Sequence, residues 1–224
     1  MSNKKTGIVH QVERHIIKPI YLLICREVIK RKSCGDVALF ESDYNCGFKN
    51  NRMTERCLEL TLAREVIDSW KDNNEESSII EVGAVTPYYF PGLIRNVLDA
   101  YDSHELINYK MDLLDYDFTG WNVLSISTIE HVGIGDYNLE KKEDAIFALN
   151  KILNESKHCF ITWGMGYNKE LDHYVVENMS DTYLECYSRG KFDNCWKRET
   201  NFLKVSKCNY SDIGWADIVA IIRK

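Results

Sequence analysis

Several patterns that would identify a function class are absent from this sequence. It has only three prolines, no internal repeat and no low-complexity tract. The eight cysteines form no Cys-x-x-Cys pair and match no zinc-ligand spacing, which argues against a zinc protein. There is no Gly-x-Gly-x-x-Gly and no convincing Tyr-x-x-x-Lys pair on a core helix, which argues against a nucleotide-sugar reductase or epimerase.

The chain also has fewer basic than acidic residues. The chain has 28 Lys and Arg against 34 Asp and Glu, and its formal net charge is −6. A surface that binds nucleic acid neutralises phosphates with basic side chains. Nucleic acid is therefore not expected as a partner.

No long apolar run is present. The run at 20–24 near the N-terminus is short, Lys18 and Pro19 precede it, and Arg26 and Glu27 follow it. It satisfies neither a secretory signal nor a membrane span. We expect a cytoplasmic chain without a membrane span, in which all eight cysteines are reduced thiols and Cys57 and Cys159 belong to the core.

The length of 224 residues and the 45% hydrophobic content allow one domain with an extension before it. Residues 1–53 are predicted to be a helix and loop extension, with an amphipathic helix over 10–32 and a short strand over 37–40. The helix is interpreted as docked on the domain, and a membrane-surface or homodimer contact is the alternative. Residues 54–224 are predicted to be an α/β domain whose first helix has Thr54 as its N-cap.

Strand and helix patterns alternate after this first helix. Strands are predicted at 78–82, 94–99, 121–127 and 157–163, and helices at 139–154 and 171–178. Two late strands at 182–187 and 217–222, with no long helix between them, predict an antiparallel pair. The predicted fold class is α/β, a Rossmann-like, doubly wound, mostly parallel sheet with an antiparallel closing strand.

Carboxylates follow the predicted strands at regular intervals. Glu81 ends the first strand, Asp99 ends the second, and Asp112 comes before the third, which leads into Glu130-His131. Ligands of open parallel sheets bind outside the carboxyl ends of the strands. The pattern therefore favours a nucleoside-like ligand at this edge.

The ordered series resembles the motifs of class I S-adenosylmethionine-dependent methyltransferases over about residues 77–223. The residues that carry the resemblance are Ile79-Ile-Glu81-Val-Gly83, Val97-Leu-Asp99, Met111-Asp112-Leu and Leu124-Ser-Ile-Ser-Thr-Ile-Glu130-His131-Val. The series is similar in particular to a bacterial branch whose first motif is Glu-Val-Gly followed by an aromatic-containing turn.

The resemblance implies S-adenosylmethionine as cofactor and a set of residues around it. Gly83 would allow a tight turn beneath the cofactor, and Glu81 would accept from a backbone amide or the cofactor ammonium. Asp99 would accept the ribose hydroxyls, and Asp112 the adenine amino group. The remaining implied cofactor residues are Tyr101, near the base, and Ser127.

The first motif departs from the family, because Ala84 follows Gly83 and no second glycine occurs until Gly92. Prolines at 87 and 91 stiffen this loop. A methyltransferase-like module that has lost its cofactor and serves as an interaction protein is therefore the leading alternative. A different nucleotide-using Rossmann enzyme is the other.

Glu130-His131 is the predicted catalytic pair. A histidine can take the proton of an attacking hydroxyl or amine near neutral pH, and Glu130 can orient it or contact the substrate. The alternative is that the pair only positions its loop. A Glu-x-x-Glu-His metal cluster occurs in small-RNA 2′-O-methyltransferases, but Ser127 stands at its first position here, so no metal is predicted.

The segment after the fourth strand is predicted to supply the acceptor site. Trp163, Tyr167 and Asn168 can wall a pocket, and Asp172 or His173 can be a second acid or base. The alternative is that Asp172 caps the helix and His173 lies on the surface. The predicted function is methyl transfer to an oxygen or nitrogen of a small molecule or a bacterial surface-glycan precursor.

Overall fold

The computed structural model describes residues 55–134, 144–179, 183–190, 195–201, 205, 207, 208, 210 and 216–224. The predicted helix over 10–32, the strand over 37–40 and the Thr54 N-cap lie outside these residues. The division of the chain at residue 54 stays a prediction for the same reason.

The described residues form four α-helices and seven β-strands. The helices are α1 (Arg56–Asp72), α2 (Thr86–Tyr89), α3 (Asp144–Glu155) and α4 (Lys169–Asn178). The strands are β1 (Ile79–Val82), β2 (Asn96–Leu98), β3 (Asn122–Ile126), β4 (His158–Gly164), β5 (Leu184–Arg189), β6 (Trp196–Arg198) and β7 (Ile218–Arg223). Short 3₁₀ turns cover Glu76–Ser78, Leu113–Asp115 and Ile129–His131.

All seven strands belong to one mixed sheet in the order β2-β1-β3-β4-β7-β5-β6. The four strands from β2 to β4 are parallel, with Ile80 opposite Asn96 and Val123, for example. Strand β7 runs antiparallel between β4 and β5, and β6 pairs antiparallel with β5. The predicted α/β class, with a parallel core and an antiparallel late pair, is confirmed.

Apolar side chains cover both faces of the sheet. One face packs against α1, where Leu58 and Ile67 are fully buried with Leu124 and Phe160 of the strands. The other face packs against α3 and α4, in a cluster that includes Leu149. Alternate residues of a strand point to opposite faces, so two-sided burial explains why these strands are mostly apolar.

Strand boundaries shift by one or two residues from the predictions. Strand β2 is shorter than predicted because Asp99 already belongs to a loop, where its amide donates to the carbonyl of Tyr109 at 3.0 Å. Strand β6 was not predicted, since three residues are too few to show an alternating pattern. Helix α1 begins at Arg56 with Glu55 in the N-cap position, and Glu55 makes no side-chain capping bond.

The cysteine prediction is wrong for Cys195, which is disulfide-bonded. Cys57, Cys159, Cys186 and Cys208 are free thiols, and Cys57 and Cys159 are buried as predicted. Disulfides are uncommon in reducing compartments, so the cysteines do not support a cytoplasmic location. The compartment stays a prediction, while within the described residues no helix is long and apolar enough to cross a membrane.

Candidate functional site

A cavity of about 350 Å³ opens at the carboxyl ends of β1, β2 and β3. This is the edge at which ligands of parallel sheets bind, and the volume suits a small ligand. Six sequence-predicted residues line the cavity: Gly83, Asp99, Tyr101, Asp112, Ser127 and His131. Glu81 and Glu130 do not line it.

The cavity is acidic. Four aspartates line it and come from three segments of the chain: Asp99 and Asp102 from one, and Asp112 and Asp144 from one each. No lysine or arginine is among the described residues of its wall. The rest of the lining is largely apolar, with Leu98, Met111 and Leu113 on the side of Asp112. Such a wall favours an uncharged or positively charged ligand with an apolar body.

Gly83 makes the turn at the end of β1. Its φ is +83°, a conformation that side chains other than glycine rarely adopt, and its amide donates to Leu98 at 2.9 Å. A Cβ here would collide with the side chain of Thr128. The glycine was predicted to allow a tight turn beneath the cofactor, and in the structure the side chain of Thr128 also excludes a Cβ at this position.

Glu81 holds the loop that follows Gly83. Its Oε1 accepts from the amides of Val85 at 3.1 Å and Thr86 at 2.7 Å, and its Oε2 accepts from the Thr86 hydroxyl. The side chain is fully buried, and burial raises the pKa of Glu81 to about 7 against the lowering effect of these bonds. The predicted acceptance from backbone amides is confirmed, and its oxygens point to the loop rather than to the cavity wall.

Asp99 ties the loop after β2 to the turn after β1 in the cavity wall. Its Oδ2 accepts from the Ala84 amide at 3.1 Å, and its Oδ1 accepts from the amides of Tyr101 and Asp102 at 2.8 Å each. Each carboxylate oxygen can accept more than one hydrogen bond, so Asp99 retains acceptor capacity toward the cavity.

Asp112 and Tyr101 also line the cavity. Asp112 caps the 3₁₀ turn that follows it, where its Oδ1 accepts from the Leu114 amide at 2.9 Å. Tyr101 is 48% exposed at the cavity mouth. Neighbouring Asp102 accepts from the Tyr88 hydroxyl at 2.9 and 3.0 Å, which joins α2 to the loop after β2.

Ser127 directly follows β3 and has a rare backbone conformation, with φ of +41°. Non-glycine residues at positive φ are uncommon and are found at binding sites more often than elsewhere. Its amide donates to the Thr162 carbonyl at 2.8 Å and its hydroxyl to Glu59 at 2.7 Å. The residue lines the cavity while its hydroxyl is held beneath the wall.

The predicted catalytic pair lies in the 3₁₀ turn after β3. His131 is half-buried at the cavity wall, and its Nε2 is 4.0 Å from Oε1 of Glu130. Glu130 is only 4% exposed. Burial, followed by the charge of Glu59, raises the pKa of Glu130 well above its usual range.

The residues predicted to form the acceptor site do not come together in one place. Tyr167 lies beside His131, with ring centroids 4.6 Å apart, and the ring of Tyr210 also packs against Tyr167, with centroids 5.2 Å apart. His173 lies on the exposed face of α4, where its Nε2 is 3.1 Å from Oε1 of Glu177.

Trp163, Asn168 and Asp172 are interior residues. Asp172 accepts from Trp163 Nε1 at 2.9 Å and from the Gly166 amide at 2.6 Å, so it fastens the turn after β4. Burial raises the pKa of Asp172 to about 6. Asn168 caps α4 by accepting from Leu171 at 3.0 Å, which is the role that the alternative interpretation had given to Asp172.

A buried polar cluster behind His131 was not predicted from the sequence. Glu59 accepts from the hydroxyls of Ser127 at 2.7 Å and Thr162 at 2.8 Å, and its other oxygen faces Arg56 at 3.2 Å. The sequence feature that could have identified Glu59 is its position as a carboxylate on the apolar face of α1, between Leu58 and Leu62. Such a residue is almost never fully buried unless it is paired.

Glu55 and Tyr210 extend this cluster. Tyr210 donates its hydroxyl to Glu55 Oε1 at 3.3 Å, and the Ala216 amide donates to Glu55 Oε2 at 3.1 Å. Burial and then the charge of Glu59 raise the pKa of Glu55. Nothing in the local sequence around Tyr210 indicated this contact.

Within the described residues, no group of three or more His, Cys, Asp or Glu side chains is arranged to hold a metal ion. The absence of a metal from the mechanism stays a prediction.

No family model and no curated protein matches this chain. A solved structure described as the DhpI-SAM-HEP complex has a TM-score of 0.34 and 10% sequence identity, over 94% of this chain and 98% of that one. Similarity at this level carries no argument about fold or function. Both therefore rest on the geometry of the chain itself.

Proposed function

We propose that this chain is an S-adenosylmethionine-dependent methyltransferase that acts on an oxygen or nitrogen of a small molecule or a bacterial surface-glycan precursor. The observation that carries the proposal is the cavity beside β1, β2 and β3, with Gly83 in its wall, four aspartates around it and no basic residue among its described lining. The motif series that resembles methyltransferases in the sequence surrounds this same cavity.

The charge of the wall separates this proposal from a nucleotide-sugar or dinucleotide enzyme. Bound phosphates are held by backbone amides, lysines or arginines, and aspartates repel them. The first amides after Gly83 are instead engaged, since the Ala84 amide donates to Asp99 and the Val85 amide to Glu81. A nucleoside without phosphates and with a positive sulfonium and ammonium suits these surroundings.

The residues present fit the parts of such a cofactor. Asp99 offers carboxylate oxygens at the end of β2, where they can accept from ribose hydroxyls. Leu98, Met111 and Leu113 supply apolar surface for a base, and Asp112 is the acceptor beside them. When bound, the cofactor supplies an electrophilic methyl group.

His131 is the residue we assign to the methyl acceptor. It lies in the cavity wall, and the neighbouring Glu130 and Tyr167 restrict its position. From there its ring can take the proton of an acceptor hydroxyl or amine as the nucleophile reacts. Positioning of the acceptor supplies much of the rate in such transfers.

A specific observation favours the non-catalytic alternative. Asp99, Asp112 and Glu81 all accept from loop amides, so each has a structural role that needs no cofactor. In that case the carboxylates only shape the loops of an interaction module. Binding of the cofactor product decides between the two.

The experiment is calorimetric titration of the full chain with S-adenosylhomocysteine, with NAD and adenosine diphosphate as comparison ligands. We expect saturable binding of S-adenosylhomocysteine and none of the phosphate-bearing ligands at the same concentration. Binding of NAD or adenosine diphosphate alone would favour a different nucleotide enzyme. No binding of any of the three would favour the interaction module.

A further inference from the structure

Ser127 has a backbone conformation that its local sequence does not explain. Two non-glycine residues among those described have positive φ, Asn74 at +61° and Ser127 at +41°. Asn74 directly follows the C-cap of α1, a position where glycine and asparagine adopt this conformation. Ser127 stands instead between β3 and the next 3₁₀ turn, where a serine bears the cost of left-handed backbone. A contact from elsewhere in the fold therefore has to stabilise it.

That contact comes from Glu59 of α1. Its Oε1 accepts from the Ser127 hydroxyl at 2.7 Å and from the Thr162 hydroxyl at 2.8 Å. The Ser127 amide donates to the Thr162 carbonyl at 2.8 Å, which extends the pairing of β3 with β4 by one residue. Ser127 is thus held through its hydroxyl and its amide at the same time.

Glu59 is itself fixed in place. Its side chain is fully buried and does not line the cavity, so its effect on a ligand there has to pass through Ser127. Its Oε2 lies 3.2 Å from Nη1 of Arg56, three residues earlier on the same helix. An ionised acceptor makes stronger hydrogen bonds than a neutral one, which suits a carboxylate that has to hold a strained residue.

The conformation of Ser127 sets the direction of the chain after β3. Ser127, Thr128 and His131 all line the cavity, and the His131 amide donates to the Thr128 carbonyl at 3.1 Å within the turn. If Ser127 relaxed to extended or right-handed backbone, the chain would leave β3 in another direction. The cavity wall that Thr128 and His131 form would then move with it.

We propose that Glu59 is a positioning residue for the cofactor cavity, because its buried carboxylate holds Ser127 in the left-handed conformation that shapes the cavity wall. This inference rests on the proposed function and adds to it a residue that touches neither cofactor nor acceptor. Without the carboxylate, the binding-competent wall is populated for only part of the time. The apparent affinity for the cofactor falls by that fraction.

The first test compares two variants of Glu59 by calorimetric titration of the full chain with S-adenosylhomocysteine. Glu59→Leu removes the acceptor and should weaken binding about five- to thirtyfold, the population change that the usual cost of left-handed backbone produces. Glu59→Gln keeps an acceptor oxygen for both hydroxyls and should lose much less. Glu65→Leu, at an exposed position of the same helix, is the control and should leave the affinity at the parental value.

The second test separates the backbone conformation of Ser127 from its hydroxyl. Ser127→Ala and Ser127→Gly both remove the hydroxyl, but only glycine adopts positive φ at little cost. Ser127→Gly should therefore bind S-adenosylhomocysteine several-fold more tightly than Ser127→Ala. Adding Glu59→Leu to Ser127→Gly should cost less affinity than Glu59→Leu costs the parent. Ser77→Ala and Ser77→Gly, at an exposed residue before β1, are the matched control and should bind equally.

Urea unfolding of the same variants distinguishes positioning from stability alone. If Glu59→Leu lowers the free energy of unfolding and binds S-adenosylhomocysteine as the parent does, Glu59 is only structural and the inference is wrong. Equal affinities of Ser127→Ala and Ser127→Gly overturn it as well, and this pair decides the question if Glu59→Leu does not fold.

The outcomes also separate this inference from the proposed function. If the parent binds S-adenosylhomocysteine but the variants do not follow the expected order, the positioning role of Glu59 is wrong and the methyltransferase proposal stands. If the parent does not bind S-adenosylhomocysteine, the proposed function fails and the positioning role fails with it.

Discussion

The side chain of Thr128 occupies the space that a Cβ on residue 83 would need. Gly83 has φ of +83°, and Thr128 Oγ1 is the atom nearest to the Cβ position. Thr128 is held there because its hydroxyl donates to the Ile126 carbonyl at 3.0 Å. The end of β1 and the end of β3 are thus locked together at the base of the cavity, where the first and last motifs of the site meet.

Gly83→Ala should lower the free energy of unfolding by about 2–5 kcal/mol, because it combines left-handed strain with a collision. Gly120→Ala is the control, since Gly120 has φ of +81° with nothing near its Cβ position, and it should lose about 1–2 kcal/mol. Urea unfolding measures both. Equal losses would show that Thr128 moves aside, and Thr128→Ala should restore part of the Gly83→Ala loss.

Asp99→Ala should weaken S-adenosylhomocysteine about tenfold or more, since a charged acceptor contributes roughly 1.5–3 kcal/mol per bond. Because Asp99 also holds loop amides, Asp99→Asn is the sharper variant: its amide oxygen still accepts from Tyr101 and Asp102. Calorimetric titration compares both with Asp115→Asn, which changes an exposed aspartate near the cavity. Parental affinity in both Asp99 variants would make Asp102 the candidate for the ribose.

His131→Gln should reduce turnover about 10²–10⁴-fold and leave S-adenosylhomocysteine affinity nearly unchanged, because proton transfer matters in the reaction and not in cofactor binding. The control is His158→Gln, since His158 begins β4 at the opposite edge of the sheet. Turnover is measured as formation of S-adenosylhomocysteine in the presence of a methyl acceptor. Near-parental turnover in His131→Gln would remove this residue from the mechanism.

Glu81 should make stability fall as pH rises from about 4.5 to about 7. Its pKa in the folded protein is raised from 4.5 to about 7, so the folded state binds more protons than the unfolded state across this interval. The free energy of unfolding therefore decreases with pH there, by about 1–3 kcal/mol for this group.

Glu81→Gln should remove that contribution while its amide oxygen still accepts from Val85 and Thr86. Asp172 and Glu130 also have raised pKa values, so the test is the difference between parent and variant rather than the parent's slope alone. Urea unfolding at several pH values between 4.5 and 7.5 measures it. Parallel curves would show that the amide bonds to Glu81 outweigh its burial.

The site residues that directly follow a strand of the parallel core were predictable from the sequence. Gly83, Asp99 and Ser127 each stand within three residues after a strand of the parallel core, so local apolar patterns placed them at one edge. Trp163 and Asn168 follow or end a strand as well, yet they are buried by α4 and serve the turn. Position along the chain identifies the edge of the sheet and not the direction in which each side chain points.

The sequence by itself determined the alternation of strands and helices, the late antiparallel pair and the row of carboxylates at one sheet edge, because these depend on patterns a few residues long. Only the tertiary structure decided what lies behind His131. Glu59 meets Ser127 and Thr162 across 68 and 103 residues of chain, and Tyr210 meets Glu55 across 155. Contacts over such separations are set by how α1 packs on the sheet, and no local periodicity records them.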